Sequence, residues 1–319
     1  MKDVGLSPLP AHHPRTSARP GEAPVFLVGA ARSGTTLLYK AMALHPDVSW
    51  PSNWVARFPA VPQLAALNRV ARALPGRRSH VWFGRHGDNA YVYGARRPLR
   101  DRLLPTPHEA EPLYAHAGIP EFPAGDAELD RAVAERLRWD FSAISRWDGR
   151  RQVLSKRIAN DRRIPWLCEV FPQARFIEIV RDGRAVAASL AAVDWWEANT
   201  VWWYGGTPGD WRSTGGHPWE LCARNWVEEV RTIRRGFAAV DAARVLSVRY
   251  EDVVRDPMTS LEKAMEFCGL DAAAPAWRRG MGEVRFPNQN ERWRATLSEE
   301  DRAVVESVQH EELERYGYC

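Results

Sequence analysis

A short apolar run followed by a loop and a helix constrains this chain most strongly. The run Val25–Val28 predicts a buried strand, and residues 36–42 predict the start of a helix. Between them, Gly29 and Gly34 bound a loop with the spacing of a phosphate-binding P-loop. Backbone N–H groups in such a loop, together with the first helical turn, bind an anionic phosphate. The segment therefore predicts an α/β fold that binds a phosphate ester.

This loop differs from that of nucleotide hydrolases at one position. Thr35 stands where those enzymes have the lysine that reaches the β- and γ-phosphates, and the positive charge comes instead from Arg32. We therefore do not expect ATP as a phosphoryl donor. A small-molecule kinase or another nucleotide-binding protein stays open as the alternative. A kinase also needs an acidic Mg²⁺ ligand at the end of a second strand, and Arg181 occupies such a strand end.

Strands and helices alternate along the rest of the chain. Strands are predicted at 152–154, 175–180 and 244–248, and helices at 164–171, 184–190, up to about 240, 257–268 and from 298. This order predicts a central parallel sheet flanked by helices, in a single domain over residues 25–319. Residues 60–150 have weak periodicity and predict an insertion of helices and loops. Residues 1–24 are polar and contain five prolines, so we expect a disordered tail.

Composition favours small anionic ligands over other partners. The chain of 319 residues has a formal net charge of +4 and a pI of about 9.0. Charges of both signs are interleaved without a long basic run, so nucleic acid is not an expected partner. The four cysteines are far apart and form no C-x-x-C pair, which argues against a zinc site and favours a cytoplasmic location. No apolar run is long enough to predict a transmembrane helix.

A second candidate anion site follows the strand predicted at 175–180. Arg181 ends that strand, at the sheet edge where ligands of open α/β folds bind. Ser189 lies about two helical turns further on, so its hydroxyl can point to the same edge. These two residues can hold a second phosphate, with Arg184 as an accessory. Taken alone, this segment favours a surface ion pair for Arg181 and an ordinary helical position for Ser189. Together with the loop after the first strand, it favours a ligand that has two phosphate groups.

The two motifs together resemble those of sulfotransferases that use 3′-phosphoadenosine-5′-phosphosulfate (PAPS). The loop resembles the one that holds the 5′-phosphosulfate, and the segment from Arg181 to Ser189 resembles the element that holds the 3′-phosphate. Three further segments resemble family stretches: 156–165 (Lys-x-x-x-Asn before a helix), 249–257 (R-Y-E-D-L…D-P) and 292–298 (K-W-R…L-S). The resemblance runs from about Val25 to Tyr318 and is weak between 60 and 150. It is strongest to bacterial sulfotransferases that act on small molecules, lipids or glycans.

The resemblance implies a P-loop-like fold and an enzyme that transfers a sulfuryl group from PAPS directly and in line, leaving PAP. The acceptor would be a hydroxyl, or as a second choice an amine, of a secondary metabolite, lipid or sugar, and no metal would be required. By position, the implied cofactor-binding residues are Arg32, Ser33, Gly34, Thr35, Thr36, Arg181, Ser189, Tyr250, Arg292 and Trp293. Lys156 and Arg32 are the implied catalytic cations, because negative charge develops on the leaving phosphate.

Structural interpretations of four of these residues stay open. Lys156 can be a strand-end lysine in solvent, and Tyr250 can be a core residue beside a strand. Arg292 and Trp293 can form a surface cation–π pair instead of closing over the cofactor.

The general base is not where relatives place it. Several branches of the family have a glutamate about twenty residues after the loop arginine, where this chain has Asn53 and its neighbours. Cytosolic relatives have a histidine two residues after the lysine, where this chain has Ile158. His80, expected in a loop of the insertion, is the first candidate base. The further candidates are His86, Glu109, Glu111 and Asp161, and Asn53 is expected to orient the acceptor.

The tryptophans between 195 and 226 have two interpretations. They can form an aromatic wall for the acceptor, or they can only pack a loop and a helix against the sheet. We expect the acceptor role for Trp195, Trp196, Trp202 and Trp203, because this run begins just after the helix of the second motif. Trp219 and Trp226 are seven residues apart on one helical face and are expected in the core.

Overall fold

A computed structural model describes residues 21–90, 98–121 and 128–318. In these ranges the strands are β1 (Val25–Val28), β2 (Val48–Ser49), β3 (Gln152–Lys156), β4 (Arg175–Val180) and β5 (Val245–Arg249). All pairings are parallel and the sheet order is β2-β3-β1-β4-β5. The strand that leads into the loop is therefore central, and its carboxyl end lies between those of β3 and β4.

Helices cover both faces of this sheet. In chain order they are α1 (Thr35–Ala43), α2 (Asn53–Arg57), α3 (Asn68–Ala73), α4 (Pro75–Phe83), α5 (Leu99–Arg102), α6 (Glu111–Ala117), α7 (Arg131–Asp148), α8 (Ile164–Val170), α9 (Gly183–Ala191), α10 (Pro208–Ser213), α11 (Pro218–Phe237), α12 (Tyr250–Arg255), α13 (Pro257–Phe267), α14 (Pro275–Met281), α15 (Trp293–Thr296) and α16 (Glu299–Arg315). Short 3₁₀ helices lie at 62–67, 158–162, 196–198, 242–244 and 290–292. The predicted parallel sheet flanked by helices is confirmed.

The boundaries differ from the predicted ones in two informative places. β2 has two residues, too few to give a periodic signal, and the sequence did not predict it. β3 runs two residues beyond its predicted end, so Lys156 is the last residue of that strand. Because β1 pairs Leu27 with Lys156, the lysine lies beside the start of the loop.

The side chains of β1 alternate between two apolar layers. Val25 and Leu27 pack into the cluster on the α1, α13 and α14 side, while Phe26 and Val28 pack into the cluster on the α7 and α8 side. All four residues are buried, as expected for a central parallel strand covered on both faces. This double anchoring fixes the point from which the loop starts.

The described residues between 60 and 150 lie in helices and loops, and they also contribute to the core. The longest of these helices, α7, is capped by Asp130, whose side chain accepts a hydrogen bond from the Ala132 N–H at 2.7 Å. Phe141 on α7 packs against Phe26 of β1, with ring centroids 5.8 Å apart. The insertion is therefore part of the layer that supports the central strand.

The packed part of the chain begins before the predicted boundary at Val25. The Arg175 N–H donates to the Pro24 carbonyl at 3.0 Å, and the Gln152 side chain donates to the Ala23 carbonyl at 2.9 Å. The first twenty residues of the predicted tail lie outside the described residues. Across the described ranges, none of the helices combines the length and the apolar character that crossing a bilayer requires.

We expect Asp140 to make stability depend on pH. This α7 residue is buried and pairs with Arg136 Nε at 3.4 Å. Burial raises the pKa of Asp140 to about 7 against the opposing charge of Arg136. The unfolded carboxyl ionises near pH 4, so stability is lost as the pH rises through the folded pKa.

Asp140→Asn should therefore stabilise the protein at pH 8, by on the order of 2–4 kcal/mol. The gain should shrink as the pH falls towards about 4. Thermal unfolding of both proteins at several pH values checks this; a variant with an equal shift at every pH would contradict the buried-carboxyl explanation.

Candidate functional site

The loop after β1 has a backbone that few residues can adopt. Gly34, which caps α1, has φ of +91°, and Arg32 has φ of +71°. A Cβ at Gly34 would lie 2.6 Å from Cδ2 of Tyr250, so glycine is required by both conformation and space. Leu38 donates back to the Gly34 carbonyl, and the N–H groups of residues 35–37 precede this first intrahelical bond. The loop and helix N-terminus together form a site for an anion.

Two buried carboxylates hold the first half of the loop. Asp161 accepts from the Gly29 N–H at 3.1 Å, and Glu229 accepts from the Ala31 N–H at 2.7 Å. Burial raises the pKa of Asp161 well above its usual value, and the neighbouring Glu229 charge raises it further. Burial also raises the pKa of Glu229. These contacts fix the loop backbone and leave its second half to face the ligand side.

Ser33 is the buried polar residue of the loop. It is fully buried, and its hydroxyl has no hydrogen-bond partner among the described residues. A buried hydroxyl without a partner is costly. Ser33 itself lines neither of the two large cavities of the described structure. Its neighbours Thr35 and Thr36 line the adjoining cavity.

Lys156 lies against this loop and not in solvent. Its side chain is only 2% exposed, and its Nζ donates to Thr36 Oγ1 at 3.3 Å. The same nitrogen forms an ion pair with Glu109, which also accepts from Arg157 at 3.0 Å. The solvent interpretation of Lys156 is therefore wrong, and the lysine stands between the loop and a carboxylate.

A second group of contacts brings Arg181 to the loop from β4. Its guanidinium donates to the Arg32 carbonyl at 2.9 Å, to Asn290 at 3.1 Å and to the Gln289 carbonyl at 2.9 Å. It also stacks on the Tyr250 ring, 4.5 Å from the centroid. Arg181 therefore joins the loop to the segment before α15.

Arg32 points from the loop towards the second motif. Its Nε donates to Ser189 Oγ at 3.0 Å, so the serine two turns along α9 does face the same edge as Arg181. Arg32 lines both large cavities of the described structure. The two predicted anion sites are therefore neighbours, linked by one guanidinium.

The accessory role expected for Arg184 has no geometric support. Its guanidinium pairs with Asp182 and Glu306, donates to the Tyr318 carbonyl, and stacks on Trp293 at 4.7 Å. It lines neither large cavity. Arg184 instead fixes Trp293 and the end of the chain.

A cavity of about 680 Å³ lies over the second motif. It brings together most of the predicted cofactor residues, which are Arg32, Gly34, Arg181, Ser189, Tyr250, Arg292 and Trp293. Trp293 is buried and stacked by Arg184, Arg294 and Arg302, so the predicted surface pair of Arg292 with Trp293 is not observed.

A second cavity, of about 740 Å³, lies on the other side of Arg32. Of the predicted site residues it is lined by Arg32, Thr35, Thr36, Lys156, Trp195, Trp196 and Trp202. Trp195 is 47% exposed at its wall, while Trp202 is covered by Arg162 at 4.9 Å. Trp203 is not a lining residue; it donates to Asn225 and packs on Trp211. Three of the four tryptophans thus line this cavity, and their contact with the acceptor stays a prediction.

The expected core residues Trp219 and Trp226 behave differently from each other. Trp226 is fully buried, whereas Trp219 is half-buried at the edge of its cluster. Both tryptophans lie on the predicted face of α11, and only Trp219, near the start of that helix, is partly exposed.

The structure does not bring His80 or Asn53 to either large cavity. His80 lies exposed on α4, not in a loop, and His86 is exposed as well. Asn53 starts α2, where its side chain accepts from the Thr106 N–H at 2.9 Å and donates to the Arg102 carbonyl. Both residues were placed by sequence position alone, and the fold of the insertion directs them elsewhere.

The other predicted base candidates have different surroundings. Glu109 lines the 740 Å³ cavity beside Lys156. Glu111 lies outside it and pairs with Arg157 and Arg163. Asp161 holds the loop backbone. Of these, Glu109 alone is both at the cavity wall and next to the loop.

Sequence reasoning missed two polar residues on α11 that line the same cavity. Asn225 and Glu229 lie one helical turn apart, on the face of α11 that otherwise carries apolar residues. Their position as polar residues on an otherwise apolar helix face is the sequence signal from which they could have been predicted. Among the described residues, no cluster of three or more His, Cys, Asp or Glu is arranged to hold a metal ion.

The sequence pattern of the sulfotransferase family matches residues 24–274. The chain belongs to the sulfotransferase family. It is 24% identical to the omega-hydroxy-beta-dihydromenaquinone-9 sulfotransferases of Mycobacterium bovis and Mycobacterium tuberculosis, over 92% of this chain and 75% of each relative. This confirms the prediction of a sulfotransferase, an enzyme that transfers a sulfuryl group.

Solved sulfotransferases share the fold. STF9 from Mycobacterium avium superimposes with a TM-score of 0.58 at 18% identity, covering 93% of this chain and 77% of that one. STF1 from Mycobacterium tuberculosis gives 0.53 at 16% identity, covering 90% and 75%. At these identities the likeness supports the fold and not the roles of individual residues.

Gly34→Ala should destabilise this sulfotransferase. Alanine at a left-handed position costs about 1–2 kcal/mol, and the contact with Tyr250 adds to that. Thermal unfolding of Gly34→Ala, Tyr250→Ala and the double variant separates the two effects. We expect the alanine at position 34 to cost less when Tyr250 is already absent; a wild-type melting temperature for Gly34→Ala would contradict the loop geometry.

Proposed function

We propose that the protein transfers a sulfuryl group from PAPS to a hydroxyl group of a small-molecule, lipid or sugar acceptor. The observation that carries this proposal is the adjacency of two anion sites. Arg32 belongs to the loop after β1, and its side chain bonds Ser189 of the second motif. A nucleotide with phosphates at both ends of one ribose is the ligand class that two neighbouring sites favour.

The 680 Å³ cavity suits the nucleotide. Arg181 and Ser189 would hold the 3′-phosphate, and the loop with α1 would hold the 5′-phosphosulfate. Tyr250 and Trp293 offer aromatic surface at the same cavity. The partnerless hydroxyl of Ser33 and the conformation of Gly34 fit an anion at the loop.

Lys156 is placed to act on the transferring group. Its ammonium is almost fully buried and within hydrogen-bond distance of Thr36, so it would lie next to the oxygen that bridges phosphorus and sulfur. As the bond from that oxygen to sulfur breaks, negative charge grows on the departing phosphate. A fixed cation in a site of low dielectric stabilises that charge most in the transition state. Arg32 would contribute from the other side of the loop.

The 740 Å³ cavity suits the acceptor. It adjoins the loop, and its wall combines tryptophans with polar residues, which matches an acceptor that has an apolar body and a hydroxyl. The mycobacterial relatives are named for a hydroxylated menaquinone derivative. An acceptor of that general kind, with a hydroxyl on an apolar skeleton, fits this wall.

The kinase alternative receives no support from the strand ends. β3 ends at Lys156 and β4 is followed by Arg181, so two cations stand where a kinase needs an acidic Mg²⁺ ligand. Lys156 and Arg181 flank the loop, which favours a reaction in which protein side chains balance the negative charge of the ligand.

We expect PAP to bind about 10–100-fold more tightly than AMP, because a charge-assisted phosphate contact contributes about 1.5–3 kcal/mol. Arg181→Ala should remove most of that preference. Calorimetry with both nucleotides on both proteins measures it, and AMP affinity in the variant controls for damage to the fold. Equal preference for PAP in wild type and variant would contradict the role of Arg181.

Lys156→Ala should lower kcat by a factor on the order of 100 or more, with a smaller change in the KM for PAPS. The acceptor for this assay comes from incubating the enzyme with ³⁵S-labelled PAPS and an extract of its host. Lys263→Ala, which removes an exposed lysine of α13, is the matched control. An unchanged kcat at saturating PAPS would exclude Lys156 from the chemical step.

A further inference from the structure

The ammonium group of Lys156 contacts two neighbouring side chains at the proposed reaction site. Lys156 Nζ is ion-paired with Glu109 and also donates to Thr36 Oγ1 of the loop at 3.3 Å. A phosphosulfate bound at the loop would therefore compete with Glu109 for the same lysine. The carboxylate, 30% exposed, lines the acceptor cavity beside it.

Three titratable or charged residues surround Glu109. Lys156 faces it from the end of β3, Arg157 from the following residue, and His108 adjoins it in sequence. Arg157 is shared with two further carboxylates, Glu111 and Glu121. Burial pushes the pKa of Glu109 upward, but the charges of Lys156 and Arg157 outweigh it and hold the pKa at about 2. In this state the carboxylate is a weak base.

We propose that Glu109 removes the proton from the acceptor hydroxyl, and that it does so only after the bound phosphosulfate has drawn Lys156 away from it. The inference rests on the proposed function. The acceptor O–H bond breaks and its proton passes to the Glu109 carboxylate while the acceptor oxygen forms a bond to sulfur. The bond from sulfur to the bridging oxygen breaks, and that electron pair leaves with PAP.

Burial of Glu109 determines how its strength as a base changes when the cofactor binds. When the phosphosulfate shares Lys156, one of the two cations that lower the pKa of Glu109 is partly neutralised. The upward effect of burial on the Glu109 pKa then meets less opposition from Lys156, and the negative sulfuryl group nearby adds to it. The carboxylate therefore becomes a stronger base when the cofactor is in place, and stays a weak one without it.

The position of Glu109 also offers a route for the proton. Glu109 and Arg157 line both the 740 Å³ cavity and a separate cavity of about 250 Å³ on the side of His108. A proton accepted on the acceptor side can leave towards this second opening. It need not return past the bound substrates.

Glu229 is the competing carboxylate at the acceptor cavity. Its Oε2 accepts from the Ala31 N–H at 2.7 Å, and no cation that the cofactor would recruit is ion-paired with it in the described structure. Protonating Glu229 would weaken its hold on the loop in the middle of the reaction. The geometry therefore assigns loop support to Glu229 and proton removal to Glu109.

Glu109→Gln tests the proposal, with Glu135→Gln as the control, since Glu135 is an exposed carboxylate that pairs with an arginine of its own helix, away from both cavities. Calorimetry measures PAP affinity. Single-turnover reactions with ³⁵S-PAPS measure transfer to water and to 1-octanol in detergent between about pH 5 and 9. We expect Glu109→Gln to slow transfer on the order of 100-fold or more. We also expect it to tighten PAP binding several-fold, because Lys156 is released and a like charge removed.

Slower transfer combined with tighter PAP binding distinguishes proton removal by Glu109 from a structural role, because loss of a structural residue would weaken both PAP binding and turnover. Glu135→Gln should keep the wild-type pH profile and PAP affinity. Wild-type transfer rates in Glu109→Gln would overturn the inference, and so would slow transfer together with weakened PAP binding. Loss of the pH dependence in Glu229→Gln, and not in Glu109→Gln, would overturn it as well. A wild-type protein that binds PAP no better than AMP and releases no label overturns the proposed function itself.

Discussion

The loop after β1 depends on hydrogen bonds to its own backbone from three distant parts of the chain. Asp161 and Glu229 accept from N–H groups in its first half, and Arg181 donates to the Arg32 carbonyl. A loop with two residues at positive φ would otherwise be costly to hold in one conformation. The sheet fixes where the loop starts, and these three side chains fix the direction in which it faces. Both cavities take their shape from that fixed loop.

The arrangement of carboxylates and arginines around Lys156 has a second consequence for the site. Arg157 is shared among Glu109, Glu111 and Glu121, and Arg163 is buried against Glu111. Buried charges are costly unless paired, so this network commits residues of the insertion to the end of β3. The insertion thereby supplies part of the wall of the 740 Å³ cavity, through Glu109 and Glu121, and not only a cover for the sheet.

The sequence predicted the parts of the molecule whose signals are local. The β1–loop–α1 unit, three further strands and the spacing of Arg181 and Ser189 could be read from short segments, and the structure brings both motifs to one edge. His80 and Asn53 could not be placed, because no local pattern reports that Asn53 bonds Thr106 and Arg102, about fifty residues away, or that His80 lies on the exposed side of α4. The contacts of Glu229 with the loop link residues 198 positions apart, which no local pattern reports.

Arg32 is the one residue of the loop whose side chain lines both large cavities in the described part of the chain. A ligand on either side that moves this guanidinium changes the site offered to the other ligand. Such coupling is reciprocal: the factor by which a ligand in one cavity changes the affinity of the other cavity for its ligand is the same in both directions. Under the proposed function, the sulfurylated acceptor and PAP therefore change each other's affinity through one side chain.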